Sequence, residues 1–107
     1  MKIQQKMYLN KGQIKEYKQR HDLIPSQWSE LSTLLTKSGI RDYSIFFDEE
    51  QSALYAVLWR TKDNTMDKLP DKEIMQKWWN YMSDLMKTHD NSSEPICLDL
   101  PCVFHMD

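Results

Sequence analysis

The chain has 107 residues, a length that allows one compact domain and excludes two. Its residues are 40% hydrophobic and 28% charged, a composition typical of a folded protein rather than a disordered one. Fourteen Lys and Arg against sixteen Asp and Glu give a net charge of −2, and no basic run is present that could neutralise a row of phosphates. We therefore expect one domain over residues 1–107 that does not bind nucleic acid.

Neither a signal peptide nor a membrane-spanning helix is predicted. The N-terminal stretch MKIQQKMYLN alternates apolar and polar residues, and no window approaches the roughly 20 apolar residues that a spanning helix needs. Cys97 and Cys102 are five positions apart, so in a regular strand they would face opposite sides and could not form a disulfide. Free thiols are typical of a reducing compartment. We expect a cytoplasmic protein without a membrane partner.

The first part of the chain is predicted to form a strand and then a helix. Residues 1–9 alternate between apolar and polar side chains, which predicts a half-buried strand. Over residues 11–21 the apolar and aromatic side chains recur every three or four positions, which predicts an amphipathic helix. Pro25 interrupts it, because the residue before a proline is disfavoured in the helical conformation. A second helical stretch then runs to Gly39, so we expect a bent or two-part helix.

The second part of the chain is predicted to form a hairpin, a helix and a final strand. Residues 42–48 and 53–60 are rich in β-formers and are joined by the polar turn EEQS. The second of these strands is apolar on both faces, which favours a central position in the sheet. A broad apolar stripe predicts a helix from about residue 71 to 87, and residues 96–106 read as a strand. Pro101 in that strand indicates an edge or bulge position.

The order strand, helix, strand, strand, helix, strand is the split βαβ pattern of ferredoxin-like domains. It predicts an α+β fold, with a four-stranded antiparallel sheet that carries both helices on one face. The other face would be bare, and Tyr43, Tyr55 and Trp59 suggest that it is not polar. Packing of two such faces would form a dimeric α+β barrel, so we expect a homodimer.

Tyr17 and His21 are the first candidates for chemistry. They are four positions apart and share one face of the predicted helix, so a phenol and an imidazole could enter the same cavity. The unperturbed pKa of histidine is about 6.5, which makes His21 the best single general acid or base in the chain. A purely structural histidine beside a helix break is the alternative.

Metal and nucleotide chemistry are not predicted. His89 and His105 have no companions at metal-ligand spacing, and with the two cysteines they form no recognisable zinc pattern. The chain has only two glycines, so it contains no glycine-rich phosphate loop. We expect no metal and no cofactor.

Tyr17, Tyr43, Trp78 and Trp79, together with His21, form the candidate ligand-binding set. Aromatic faces pack against the C–H faces of sugars, while phenol and indole edges donate hydrogen bonds to hydroxyls. Trp78 and Trp79 are about 100° apart around a helix, so both cannot point into the same core. These residues predict a carbohydrate pocket, and the alternative is that the rings only fill a tight dimer core.

Five stretches of the chain, taken in order, resemble the L-rhamnose mutarotase family: EYKQRHD, GIRDYSIFFDEE, ALYAVLW, WWNYMSDLM and VFHM. The similarity covers essentially the whole chain. It implies a dimeric α+β barrel that interconverts the α and β anomers of L-rhamnose without a metal or cofactor.

The resemblance also assigns roles to residues. His21 matches the proton donor of the family, and Tyr17, Tyr43, Trp78 and Trp79 match its sugar-contacting residues. The helical angle adds that Trp78 is largely a core residue, whereas Trp79 reaches sideways to the ligand.

Two stretches depart from the family pattern. The segment LIPSQWSEL after His21 is longer than the usual form, and the tail reads FHM where a tyrosine usually follows the phenylalanine. Because the first departure lies beside the candidate acid, mutarotation of another deoxysugar such as L-fucose stays open. A non-catalytic small-ligand-binding dimer, or a cofactor-free oxygenase of a related α+β barrel, is the alternative from another class. Such an oxygenase would consume oxygen, whereas a mutarotase leaves the composition of its substrate unchanged.

Overall fold

A four-stranded antiparallel sheet forms one layer of the protein, as described by a computed structural model that covers residues 1–107. Its strands are β1 (Lys2–Tyr8), β2 (Ile40–Asp48), β3 (Ala53–Arg60) and β4 (Cys97–Leu100). They lie in the order β2-β3-β1-β4, and each neighbouring pair is antiparallel. The predicted α+β, ferredoxin-like split βαβ fold is confirmed, and so is the central position of β3.

The helices pack against one face of this sheet. They are α1 (Ile14–Asp22), α2 (Ile24–Gln27), α3 (Ser29–Lys37) and α4 (Glu73–Met82), with a 3₁₀ helix at Met66–Asp71 before α4. The predicted two-part helix consists of three segments. The break predicted at Pro25 is present, since α1 ends at Asp22 and α2 begins at Ile24. Pro25 itself lies in the first turn of α2, where the missing N–H of proline is tolerated. The second break is at Trp28, whose backbone leaves the helical conformation at φ −131° and ψ 42°.

α4 is shorter than the predicted helix over residues 71–87. It ends at Met82, because the chain after it is drawn to the end of β1 instead of continuing the helix. Met86 forms an isolated antiparallel bridge with Leu9, and the backbone N–H of Lys87 donates to the carbonyl of Tyr8 at 3.0 Å. The apolar stripe beyond Met82 is nevertheless buried, since Leu85 and Met86 belong to the core.

The final strand is also shorter than predicted. β4 pairs with β1 only as far as Leu100, and residues 101–107 have no regular structure. Pro101 has no N–H to donate to the next ladder position, so the strand stops in front of it. β4 lies at the edge of the sheet, as the proline indicated.

The two faces of the sheet differ in their surroundings. Leu54, Ala56 and Leu58 of β3 lie on the helix side and are at most 1% exposed. On the other side no element covers Phe46, Trp59 and Leu98, which are 60%, 40% and 45% exposed.

The prediction that Tyr43 lies on the open face with Tyr55 and Trp59 is wrong. A bulge in β2 places Asp42 and Tyr43 opposite the single residue Leu58, and Asp42 has a positive φ of 49°. Leu58 faces the helices, and Tyr43 lies on that same side, where it lines the cavity described below. None of the helices has the length and apolar character needed to cross a membrane.

Candidate active site

A cavity of about 730 Å³ lies between the helices and the sheet. Its volume falls within the range of about 300–1,000 Å³ that is typical of small-molecule sites. Fifteen of its 21 lining residues are hydrophobic, so a few polar groups stand out on an apolar wall. This one cavity is lined by all five of the site residues that were predicted from the sequence: Tyr17, His21, Tyr43, Trp78 and Trp79.

α1 brings Tyr17 and His21 together on one helix face. Their ring centroids are 4.2 Å apart with an interplanar angle of 32°. The Trp78 ring of α4 meets His21 edge-on, at 5.2 Å and 84°. The imidazole is therefore held between a phenol ring and an indole ring, which restricts its rotation.

One hydrogen bond fixes the tautomer of His21. The Nδ1 atom lies 3.0 Å from the carbonyl oxygen of Tyr17. A carbonyl oxygen only accepts hydrogen bonds, so Nδ1 carries the proton and donates it. Nε2 of the neutral ring is then unprotonated and is free to accept a proton from a ligand.

The surroundings of His21 favour its neutral form. Desolvation by burial lowers the pKa of His21 below its ordinary value, and this effect outweighs the hydrogen bond to the Tyr17 carbonyl and the nearby charge of Asp22, which act in the opposite direction. At neutral pH the ring is therefore a base rather than an imidazolium.

The two phenols stay protonated. Burial raises the pKa of Tyr17, and the proximity of Tyr43 raises it further. Desolvation also raises the pKa of Tyr43 to about 12, with a smaller contribution from Cys97. Both hydroxyls can therefore act as hydrogen-bond donors at neutral pH.

The adjacent tryptophans divide between core and edge. Trp78 is 7% exposed and belongs to the main hydrophobic core, as the helical angle predicted. Trp79 is only partly buried and packs at the margin of that core. It also lines a second, smaller cavity of about 240 Å³, which shares Tyr43 with the first.

Sequence reasoning missed two charged residues at this site. Lys18 and Asp22 line the cavity and form an ion pair of 2.7 Å between Nζ and Oδ2. Each directly follows one of the nominated residues of α1, and their opposite charges are four positions apart. That i,i+4 spacing is the signal that could have identified them.

The segment after His21 also reaches the cavity. Ile24 and Pro25 of α2 contribute apolar surface to its lining. This segment therefore lies at the site itself and not on a remote surface. No three His, Cys, Asp or Glu side chains in the structure come together in a way that could hold a metal ion.

Comparison with known proteins identifies the family. The family model described as L-rhamnose mutarotase matches residues 2–106. The chain belongs to the L-rhamnose mutarotase family. It is 50% identical over 101 residues to the L-rhamnose mutarotase of Sinorhizobium fredii, which covers 94% of this chain and 93% of that relative. It is 47% identical over 106 residues to that of Leptothrix cholodnii, with 99% and 96% of the two chains covered.

A solved structure shares the fold. The crystal structure of the L-rhamnose mutarotase from Formosa agariphila matches with a TM-score of 0.87 and 39% identity. The match covers 100% of this chain and 99% of that one. The predicted membership of this family is therefore confirmed. The two chains also share the same fold.

Proposed function

We propose that His21 transfers the proton that opens and closes the sugar ring when this chain interconverts the α and β anomers of L-rhamnose. Tyr17, Tyr43, Trp78 and Trp79 would bind the sugar. The observation that carries this proposal is that one half-buried histidine and four aromatic residues line a single cavity. All five were predicted from the sequence as candidate site residues.

The reaction needs only proton movements. Opening a pyranose removes the proton from the anomeric hydroxyl while the bond between C1 and the ring oxygen breaks and that oxygen takes up a proton. The product is the open-chain aldehyde, whose C1 end turns before the ring oxygen attacks the opposite face of the carbonyl. The same proton movements in reverse then close the ring, so nothing is consumed and the composition of the sugar does not change.

The protonation state of His21 suits the opening step. Since Nδ1 donates to the Tyr17 carbonyl, Nε2 is the atom that would take the anomeric proton. The imidazolium formed in this way would give that proton to the ring oxygen, which agrees with the donor role that the family resemblance assigns to His21. In closing, the neutral ring would take the proton back from that oxygen and return it to the oxygen on C1. Proton transfer by a positioned side chain typically contributes about 10²- to 10⁴-fold in rate.

The phenols would assist as donors. Tyr17 and Tyr43 are held in their protonated form by burial, so each can donate a hydrogen bond to the ring oxygen or to a sugar hydroxyl. Such a donor stabilises the charge that develops on oxygen as the ring opens.

The apolar lining suits a 6-deoxy sugar. The methyl group of L-rhamnose would gain from burial, at about 25 cal/mol per Å² of apolar surface removed from water. The face of Trp79, at the margin of the core, is available for stacking against the C–H face of the sugar. Ile24 and Pro25 add apolar surface beside His21, which is why a second deoxysugar belongs in the test.

We further propose that the chain acts as a homodimer. The exposed apolar side chains Phe46, Trp59 and Leu98 share the face of the sheet that no helix covers. Large apolar side chains exposed together on one face are typical of a surface that packs against a second subunit.

NMR saturation transfer between the α and β anomeric protons tests the activity. We expect the protein to accelerate exchange for L-rhamnose more than for L-fucose. Faster exchange of L-fucose would assign the site to that sugar instead. Binding of both sugars without any acceleration would favour the non-catalytic alternative.

A further inference from the structure

Arg20 precedes His21 in α1 but lies outside the cavity. Its side chain is only 15% exposed. Nη1 donates to the carbonyl of Tyr81 at 2.6 Å and to Oδ1 of Asp84 at 2.9 Å, and Nη2 donates to Oδ2 of Asp84 at 3.3 Å. The guanidinium carbon also lies 4.5 Å from the centroid of the Tyr81 ring. This forked contact joins the last turn of α1 to the end of α4.

Asp84 is itself attached to the sheet layer. The side-chain amide of Asn10, in the turn after β1, donates to the carbonyl of Asp84 at 3.2 Å. The backbone N–H of Asn10 donates to the carbonyl of Leu85 at 2.7 Å. Arg20 therefore holds α1 against a segment that is tied to β1.

A set of packed aromatic rings continues from this contact to His21. Trp28 stacks on Tyr81, with ring centroids 5.4 Å apart and an angle of 25°. Trp28 also meets Trp78 edge-on at 5.1 Å, and Trp78 in turn meets His21 edge-on at 5.2 Å. Neither Trp28 nor Tyr81 lines the cavity, so this packing supports His21 from outside the cavity.

We propose that Arg20 and Asp84 are positioning residues, which hold the last turn of α1 against α4 and so fix the His21 ring in its catalytic orientation. Neither residue touches the cavity. The inference rests on the proposed role of His21. A displacement of about 1 Å at a catalytic group can cost about 100-fold in rate, so a contact one residue away from that group is well placed to affect it.

Asp84→Asn is the variant that tests this. It keeps the size of the side chain and removes the charge that the guanidinium binds bidentately. We expect the kcat of anomer exchange to fall by about 10-fold, with KM changed less than about twofold, because the cavity lining is intact. Asp84→Glu retains a carboxylate and is expected to restore most of the rate.

Glu73→Gln is the matched control. It removes a carboxylate from a different ion pair, that of Glu73 with Lys77 in α4 at 3.4 Å, which does not line the cavity and is exposed at both ends. Exposed pairs of this kind contribute little to stability. We expect Glu73→Gln to leave kcat and KM at the parent values.

The pH profile separates positioning from a simple charge effect. If the α1 turn loosens, water reaches His21 and its pKa rises, so the acid limb of the rate profile moves to higher pH in Asp84→Asn. Loss of a negative charge alone would lower that pKa and move the limb to lower pH. The other titratable groups that line the same cavity are unchanged in this variant: Tyr17, Lys18, Asp22 and Tyr43.

Three results would overturn the proposal. The first is a parent-like kcat in Asp84→Asn. The second is a decrease in kcat equal to that of Glu73→Gln. The third is a decrease in kcat that matches the decrease in the folded fraction, measured by circular dichroism at the assay temperature. His21→Ala is assayed in parallel, because a parent-like rate in that variant would reject the role of His21 itself. An inactive His21→Ala together with a parent-like Asp84→Asn would reject only the positioning role.

Discussion

The chemistry proposed for this protein depends on the state of one imidazole ring. His21 has a fixed tautomer because Nδ1 donates to a backbone carbonyl, and its pKa is lowered because burial disfavours the charged form. A base has to be unprotonated before it can accept a proton. The pH at which the reaction slows therefore reports on this one side chain.

The first prediction is a pH–rate profile with an acid limb below pH of about 6.5. The folded pKa of His21 lies below the ordinary histidine value, so the neutral base persists to lower pH and is lost as the pH falls through that folded pKa. No alkaline limb is expected below about pH 10, since the pKa of Tyr43 is raised to about 12 and that of Tyr17 is also raised. Anomer exchange measured by saturation transfer across this range checks both limbs. A midpoint above the ordinary histidine value would contradict the account.

The second prediction separates the adjacent tryptophans. Trp79→Ala should weaken L-rhamnose binding by about 1–2 kcal/mol through lost stacking and leave the folded state intact, because Trp79 lies at the margin of the core. Trp78→Ala should lower the free energy of unfolding by about 3–5 kcal/mol, because Trp78 is 7% exposed and packs in the core. Tryptophan fluorescence titration and urea unfolding measure the two effects. Equal loss of stability in both variants would contradict this division.

At the scale of elements, the strands were easier to predict than the helix ends. The alternation in β1 and the β-formers on both sides of EEQS are local patterns, and they predicted β1, β2, β3 and the hairpin closely. The end of α4 depends instead on the distant residue Leu9, which follows β1 and forms a bridge with Met86. The break at Trp28 also has no signal in the local periodicity. Tertiary contacts decided these boundaries, and sequence spacing does not contain them.

The candidate site was also predictable only where local spacing decides which residues meet. Tyr17 and His21 are neighbours on one helix face, so their spacing alone brought them together. Tyr43 was predicted as a sugar contact from its aromatic side chain and from the family resemblance, but its position beside the helices was not predicted, because it depends on a bulge in β2. The contact of Arg20 with Asp84 joins residues 64 positions apart, and neither residue carries a pattern that points to the other.

The third prediction concerns the junction of α3 and β2. Gly39 has a φ of +100°, and an added Cβ would lie 2.5 Å from Oγ1 of Thr61 and 2.7 Å from Cβ of Asn64. Gly39→Ala should therefore combine backbone strain of about 1–3 kcal/mol with a steric clash. Gly12→Ala is the matched control, since its φ is +81° but no atom lies within 4 Å of the added Cβ. Chemical denaturation should show a clearly larger loss for Gly39→Ala, and equal losses would mean that the clash is relieved at no cost.

At the scale of the whole molecule, the sheet has one covered and one open face. Packing of the helices accounts for the buried residues of β3, whereas Phe46, Trp59 and Leu98 remain in contact with solvent in a single chain. Lys2 and Lys6 lie over aromatic rings on that face, at 5.5 Å from the centroid of Trp59 and 5.7 Å from that of Tyr55. The face is thus apolar with basic groups along one strand.

The fourth prediction is that the protein is a dimer at micromolar concentration. Burying the open face against a second copy removes exposed aromatic surface from water, which is the main driving force for association. Phe46→Lys places a charge on that face, at the 60% exposed position in β2, and is expected to give a monomer in sedimentation velocity. The control Glu73→Gln, on the helix side of the molecule, should sediment as the parent does. A parent protein that stays monomeric would contradict the proposed assembly.

Anomer exchange in His21→Ala tests the role of His21 more directly than any other measurement. Saturation transfer between the α and β anomeric protons of L-rhamnose gives the rate, and tryptophan fluorescence gives the binding of the sugar separately. We predict a loss of about 10²- to 10⁴-fold in rate with binding and fold nearly unchanged, because the variant removes the proton carrier and little of the contact surface. His89→Ala, whose ring lies outside the cavity with its side chain 55% exposed, should keep the parent rate. Exchange at close to the parent rate in His21→Ala would contradict the role of His21 as the proton carrier and would make Tyr17, or a water molecule held by Tyr43, the next candidate.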